Sequence, residues 1–298
     1  MNTRMRKRIG YLFLMPTVLI ILVFIVYPII KTVVNSFFDI RIQTMQLGTK
    51  FVGLSQYKKL FSDRLMWSSL GFTLRFTAVS IILETILGMV CALVMNRPFR
   101  AQGIVRAAIL VPWAIPTVVS GLMWSFMFAD NFGIINFALQ RLGLISQPIH
   151  WVTDSASAFW SIVISDVWKT APYMSLMLLS GLLSIPGDLY EAASIDGANA
   201  IKQFIHITLP MMKQVLMVSL LFRVIASFRI YDLVAVLTGG GPGSTTKSLT
   251  MYTIENYFTY GNLGYGSAAA MLTFFVSMIL ALFFMEGMKS NMEEPKIK

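Results

Sequence analysis

Six apolar runs, at residues 9–30, 72–95, 104–128, 157–183, 214–237 and 268–287, leave this 298-residue chain few ways to fold. Each approaches or exceeds the ~20 residues that a helix needs to cross the hydrocarbon core of a bilayer. There, every backbone N–H and C=O has to be satisfied within the protein, so the runs are expected to be helices. The chain reads as an all-α integral membrane protein with six transmembrane helices in one domain over 1–298. With 56% hydrophobic and 13% charged residues it departs from soluble domains, in which about 25% of residues are charged. Arg4, Arg6, Lys7 and Arg8 precede the first run as they would in a secretion signal. That run is too long for a signal core and no small-residue cleavage site follows, so a retained anchor is expected.

The net charge of +10 is spread over short flanking segments rather than gathered on one face, which argues against nucleic acid as a partner. Orientation accounts for it better. With the N-terminus inside, the inner segments hold 12 Lys/Arg in 60 residues and the outer ones 8 in 98, a bias that places both termini in the cytoplasm. A single cysteine, Cys91, excludes an intramolecular disulfide. His150 and His206 fall on opposite sides of the membrane in this topology, so no metal site is expected.

Between the fourth and fifth runs lies a polar island, residues 186–213, reading PGDLYEAASIDGANAIKQFIHITLPMMK. Asp188 and Glu191 fit the first turn of a short helix after Pro186, and Asp196-Gly197 fits its end. Ile201, Phe204, Ile205 and Leu209 then recur at helical spacing until Leu209-Pro210, where a second helix is expected to stop. Two short helices meeting at a sharp angle form a knob suited to a protein groove. The order Glu191-Ala192-Ala193, Asp196-Gly197-Ala198, Phe204, Ile207, Leu209-Pro210 resembles the EAA loop of binding-protein-dependent ABC importer permeases. Phe51-Val52-Gly53-Leu54 with Tyr57 and Phe61 is similar to an outer element of the sugar permeases, and by residue type is a short amphipathic helix at the membrane surface.

Residues 238–248, TGGGPGSTTKS, invite comparison with a phosphate-binding loop, but Thr246 precedes Lys247 where that loop needs glycine. A nucleotide site is therefore not expected. The run resembles the outer loop after the fifth span of sugar permeases, and by composition is a flexible glycine turn.

Charges within apolar runs are costly and so mark candidate functional positions: Arg75, Glu84, Asp166, Lys169, Arg223, Arg229 and Asp232. Spacing pairs Asp166 with Lys169 and Arg229 with Asp232 on their own helices, while Arg75, near a span end, is expected to reach for the interface. Pro112, Pro116 and Pro172 remove backbone donors and should kink the third and fourth spans.

The resemblance to maltose-type permeases implies a type I ABC importer permease fold with both termini cytoplasmic, and a sugar held near mid-membrane. It implies a pathway lined by Trp113 and Thr117 of the third span, by Asp166, Lys169, Thr170 and Tyr173 of the fourth, and by Ser227, Arg229, Ile230 and Tyr231 of the fifth. An aromatic face such as Trp113 or Tyr173 can cover the apolar face of a pyranose while polar neighbours take its hydroxyls. It further implies coupling through Glu191, Ala192, Ala193, Asp196, Gly197, Phe204, Leu209 and Pro210 to a separate ATPase dimer that binds ATP and Mg, none being bound by this chain. A second six-span permease subunit and an extracytoplasmic binding protein complete the assembly, in the inner or plasma membrane of a bacterium or archaeon. Asp166, Lys169 and Arg229 also admit a charged glycoside or a glycerol phosphodiester. A self-sufficient ion-coupled transporter is the rival class, opposed by the EAA-like loop and by the absence of inverted repeats. No G-x-S-x-G or H-E-x-x-H pattern supports an intramembrane enzyme.

Overall fold

The computed structural model describes residues 3–289. Met1, Asn2 and residues 290–298, the ends expected in the cytoplasm, lie outside the described residues, as do the side chains of Arg4, Arg6, Lys7 and Arg8. The chain divides into two compact units, Met1–Met66 with Tyr252–Phe275, and Trp67–Met251 with Val276–Lys298.

In the first unit, α1 (Thr3–Ile21) passes through a π turn (Leu22–Val26) into α2 (Tyr27–Asn35). Pro28 in the first turn of α2 has no N–H to give, and the wider turn before it absorbs the missing rung. A two-residue hairpin follows: β1 (Phe38–Asp39) lies antiparallel to β2 (Lys50–Phe51), with Phe38 opposite Phe51 and Asp39 opposite Lys50. Gly53 turns the chain at φ +56° into α3 (Ser55–Phe61), which buries Gln56 and Leu60, so the expected amphipathic helix is present but short.

Asp63 gathers this unit. Its Oδ2 accepts from the hydroxyls of Tyr252 at 2.6 Å and Tyr265 at 3.2 Å, and its Oδ1 from the Leu65 N–H at 2.8 Å. Burial raises the Asp63 carboxyl, but these hydrogen bonds outweigh it and hold the group below the usual carboxylate range.

The second unit holds most of α4 (Arg64–Asn96), α5 (Gln102–Ala114), α6 (Thr117–Met127), α7 (Ile134–Arg141) and α8 (Ser155–Leu183). After α8 come α9 (Gly187–Ile195), α10 (Ala200–Gln203), a π turn (Phe204–Thr208), α11 (Leu209–Met211), α12 (Lys213–Phe228) and α13 (Asp232–Leu237). α14 (Leu249–Ile254) and α15 (Leu263–Lys289) close the order.

Side-chain register fixes directions within the second unit. Thr170 meets Glu84, and a Cβ on Gly88 would lie 2.7 Å from Met174 Cγ, so α4 and α8 run parallel. Arg223 reaches Asp166 while Val215 packs against Gly181, so α12 runs antiparallel to α8. Two apolar clusters fill the unit. One is built on Phe72, Phe76, Trp124, Ile162, Val163 and Leu233, the other on Met89, Met95, Met174, Leu178, Leu182 and Met212.

The structure refines the expected spans. Among the described residues, three helices are long and apolar enough to cross a membrane, Tyr11–Asn35, Arg64–Asn96 and Leu263–Gly287, or five if each of two bent pairs is one span. α8 has 29 residues but carries Asp166 and Lys169 and a series of hydroxyls, which lower its apolarity. The third run is two helices bent by 93°. Pro116 forces Ile115 into an extended conformation (ψ 131°), whereas Pro112 sits inside α5. The fifth run breaks at Arg229–Tyr231. α8 continues unbroken through Pro172.

Because Asp63 ionises more readily in the folded protein, the stability it adds is full above the unfolded value of about 3.9 and is lost as pH falls through its lower folded value. Asp63→Asn is expected to lower the Tm near neutral pH, with the gap from the parent closing as the protein is acidified below the unfolded value of about 3.9. Melting curves of both forms in detergent at several pH values check this.

Candidate functional site

Five side chains from three helices meet inside the second unit. Glu84 on α4 has no exposed surface. Arg223 on α12 donates through Nε to Glu84 Oε2, and through Nη2 to Glu84 Oε1 at 2.6 Å and Ser227 Oγ at 2.8 Å. Thr170 Oγ1 on α8 lies 2.7 Å from Glu84 Oε1 and 2.6 Å from its own helix's Asp166 carbonyl. Asp166 Oδ2 stands 3.4 Å from Arg223 Nη2. A two-pronged guanidinium–carboxylate pair is the geometry in which a buried charge is best compensated.

This replaces the pairing expected from spacing. Asp166 faces Arg223 across helices at 3.4 Å, and buried Lys169, whose charge it also feels, makes no close ion-pair contact with it among the described residues. Arg229 and Asp232 do not pair either, because α12 ends at Phe228 and both side chains are exposed. Arg75 is exposed, with its Nε donating to the Gly71 carbonyl at 3.3 Å.

Of the expected pathway residues, Asp166, Lys169, Thr170 and Tyr173 recur at the spacing of one helix face. Trp113 at the end of α5 stacks on Tyr173, with ring centroids 5.6 Å apart and planes inclined by 30°. Trp113 remains 46% exposed. Thr117 is the first residue of α6, after the Pro116 break. Ser227 is drawn into the Arg223 network, while Ile230 is buried and its carbonyl accepts from Ser248 Oγ at 2.7 Å. Tyr231 packs against the first apolar cluster.

The polar island folds as two short helical arms. α9 starts after Pro186 with Asp188, but not Glu191, in its first turn, and ends at Asp196. Gly197 turns the chain at φ +78°, a conformation that favours glycine. Asn199 then caps α10 by accepting the Lys202 N–H at 2.9 Å. Leu209-Pro210 does not end the second arm. Pro210 falls in the first turn of α11, where a missing N–H is tolerated, and the bend of 67° comes after Met211.

Gln203 ties the arms together: its amide donates to Ser194 Oγ at 2.9 Å and to the Ala198 carbonyl at 3.3 Å. Tyr190 and Thr208 hydroxyls meet at 2.9 Å across the same junction. Glu191, Ala192, Asp196, Gly197, Leu209 and Pro210 are exposed, while Ala193 and Phe204 are partly covered. Sequence reasoning singled out neither Gln203 nor Asn199. Glu84 and Arg223 stand in the sequence as lone charges within apolar runs, and their opposite signs are the available signal of a pair.

The glycine run is more ordered than composition suggests. Thr238 and Thr246 hydroxyls meet at 2.9 Å, the Gly240 N–H donates to Thr238 Oγ1 at 3.3 Å, and Lys247 and Ser248 are buried.

Residues 84–292 match the family described as binding-protein-dependent transport system inner membrane component. The chain belongs to that family. It is 42% identical over 279 residues to the trehalose/maltose transport system permease protein MalF of Thermococcus litoralis, covering 94% of this chain and 93% of the relative. It is 36% identical over 285 residues to the sulfoquinovosyl glycerol transport system permease protein SmoG of Agrobacterium fabrum, covering 96% and 92%. Its fold matches a chain of a bacterial ABC transporter involved in import of the acidic polysaccharide alginate, with a TM-score of 0.83, 20% identity and 97% of each chain covered. The architecture is thus that of the type I ABC permeases.

In this family member Arg223 cannot be removed alone without leaving Glu84 uncompensated. Arg223→Met is expected to cost about 3–5 kcal/mol. Glu84→Gln added to it should recover part of that loss, and thermal unfolding of the two variants measures the difference.

Proposed function

We propose that this chain is the transmembrane permease subunit of an ABC importer that moves a di- or oligosaccharide delivered by an extracytoplasmic binding protein. The observation that carries the reading is the two-armed knob of α9–α11. It is held by Gln203 and Tyr190, and it leaves Ile195 86%, Ile201 69% and Ile205 50% exposed. Apolar side chains displayed on a rigid polar loop suit a groove on another protein. The occupant of that role in this reading is a separate ATPase dimer, which binds ATP and Mg. This chain performs no covalent step.

Six crossings with both termini in the cytoplasm suit the register. Parallel α4 and α8 need an odd number of crossings between them, which the bent α5–α6 pair supplies as one. Antiparallel α12 then follows α8 after the cytoplasmic knob. Six crossings form half of a pathway, completed by a second six-span permease subunit.

Transport in this scheme follows from differential affinity. When the ATPase closes, its groove carries the knob, and α8 and α12, joined directly to it, change the exposure of the sugar site between the two sides. Trp113 and Tyr173 supply an aromatic surface for a sugar ring, with Asp166, Lys169 and Thr170 beside it for hydroxyls. With Lys169 of the same α8 face counted beside the cluster, formal charges cancel, Glu84 and Asp166 against Lys169 and Arg223, which favours a neutral sugar over an anionic glycoside or a glycerol phosphodiester. The trehalose/maltose relative points the same way, and the sulfoquinovosyl glycerol relative, whose sugar is sulfonated, points the other.

Affinity purification from the native membrane is expected to recover an ATPase and a second permease, and the complex should take up trehalose or maltose when ATP is present. Recovery of the chain alone, still transporting, would overturn the reading in favour of ion coupling. Gly197→Asp, which places a side chain at φ +78°, is expected to leave the permease in the membrane but abolish ATP-dependent uptake; unimpaired uptake would remove the coupling role.

A further inference from the structure

We propose that Glu84 is a positioning residue for sugar recognition: it occupies Arg223 and Thr170, and so keeps the Asp166 carboxylate available to the sugar's hydroxyls. The inference rests on the reading of the α8 face as the sugar site and assigns a role to a residue on another helix, outside the pathway set.

The distances divide the guanidinium unequally. Glu84 takes both prongs, one of them at 2.6 Å, and Ser227 takes a further bond at 2.8 Å. Asp166 is left at 3.4 Å, beyond the range of a strong charge-assisted hydrogen bond. Exposure divides the carboxylates the same way: the Glu84 side chain is 0% exposed and that of Asp166 13%. The inner carboxylate therefore satisfies most of the cation, and the outer one, which also lies against Glu84, is left without a strong charge partner. Thr170 reinforces the arrangement, since its hydroxyl sits between Glu84 Oε1 and the Asp166 backbone carbonyl and not against the Asp166 carboxylate.

Without the Glu84 charge, Asp166 is the carboxylate already nearest to Arg223. The pair would close from 3.4 Å to the ~2.8 Å of a direct salt bridge, consuming acceptors that a sugar hydroxyl needs. A Glu84 that only compensates Arg223 predicts that Arg223→Met relieves the folding defect of Glu84→Gln while the reactivity of Asp166 stays the same throughout. A positioning Glu84 predicts that Asp166 reactivity falls in the single variant and returns in the double, because removing the guanidinium frees Asp166 again.

The test uses the complete complex in proteoliposomes with its ATPase, partner permease and binding protein, and radiolabelled trehalose and maltose as probes. Glu84→Gln is expected to assemble and to slow uptake roughly tenfold, the factor that a lost charge-assisted hydrogen bond carries. Glu84→Gln with Arg223→Met should return uptake to within about threefold of the parent. A second readout does not depend on the sugar: dicyclohexylcarbodiimide modification of Asp166, located by mass spectrometry, should fall in Glu84→Gln and return in the double variant. Unchanged Asp166 modification in Glu84→Gln, or a double variant no better than the single one, overturns the proposal. If the parent complex carries neither probe, the neutral-sugar reading fails, and the modification pattern still decides the role of Glu84. Should Glu84→Gln fail to accumulate, Glu84→Asp replaces it, with reduced Asp166 modification expected and an unchanged level counting against the proposal.

Discussion

A guanidinium buried among apolar helices is the constraint around which the second unit is arranged. Arg223 is 7% exposed, and leaving such a charge unpaired in this setting would cost several kcal/mol. Its compensation comes from Glu84, 139 residues away in sequence, so α4 and α12 must present these positions to each other. The Thr170 hydroxyl brings in α8 at the same point. One turn further along α4, the missing side chain at Gly88 lets Met174 and the Ser175 backbone approach, and the same register is held by packing as by charge. Polar pairing and close contact of small residues thus specify one arrangement of three helices. Apolar matching alone, in a lipid-like setting, would leave their rotation poorly defined.

The same three helices connect that cluster to the two-armed knob. α8 runs from Asp166 and Thr170 down to Leu182, where it enters a cluster with Met89 and Met95 of α4, Ile185, and Met212 at the start of α12. Tyr190 of α9, together with Phe204 and Ile207 of the second arm, packs against this cluster. A force on the knob therefore meets packed side chains and not a loose linker. Gln203 and the Tyr190–Thr208 contact tie the two arms to each other. The tied unit is larger than its sequence signature, since two of the residues that hold it together lie at positions the signature leaves open.

Helices and the polar island were legible because hydrophobic length and turn chemistry are local signals. Gly197 ends α9 at a positive φ as the Asp-Gly pair implied, and Asn199 supplies a cap by the ordinary chemistry of a short polar side chain. The charged site was legible in its members and not in its pairing. Spacing rules compare residues on one helix, so Asp166 was matched to Lys169 when the stronger partner stood on α12. Arg229 and Asp232 failed for a different reason, because α12 stops at Phe228 and helix resumes only at Asp232, so the two share no helix. Proline positions located the α5–α6 break only roughly: Pro116 acts through the residue before it, whereas Pro112 and Pro172 are absorbed within helices whose other rungs hold.

The two broken helices explain each other. Backbone that leaves a helix at membrane depth is tolerated where protein groups or an aqueous cavity satisfy it. At the α12–α13 break, Ser248 Oγ donates to the Ile230 carbonyl, and the same Ser248 oxygen accepts the Met251 N–H. The hydrogen-bonded glycine turn brings Ser248 there, so the order of that turn follows from the needs of the break. The short helices that resume after the breaks, α6 and α13, pack together: a Cβ on Gly121 would lie 3.0 Å from Val236 Cγ1 and 3.5 Å from Leu233 Cδ1. Neither α6 nor α13 is long enough to be stable by itself in isolation. Each supplies the packing surface that lets the other end a longer helix early. That early ending leaves Trp113 at the end of α5 and Arg229 at the end of α12, where unbroken helices would have carried them onward.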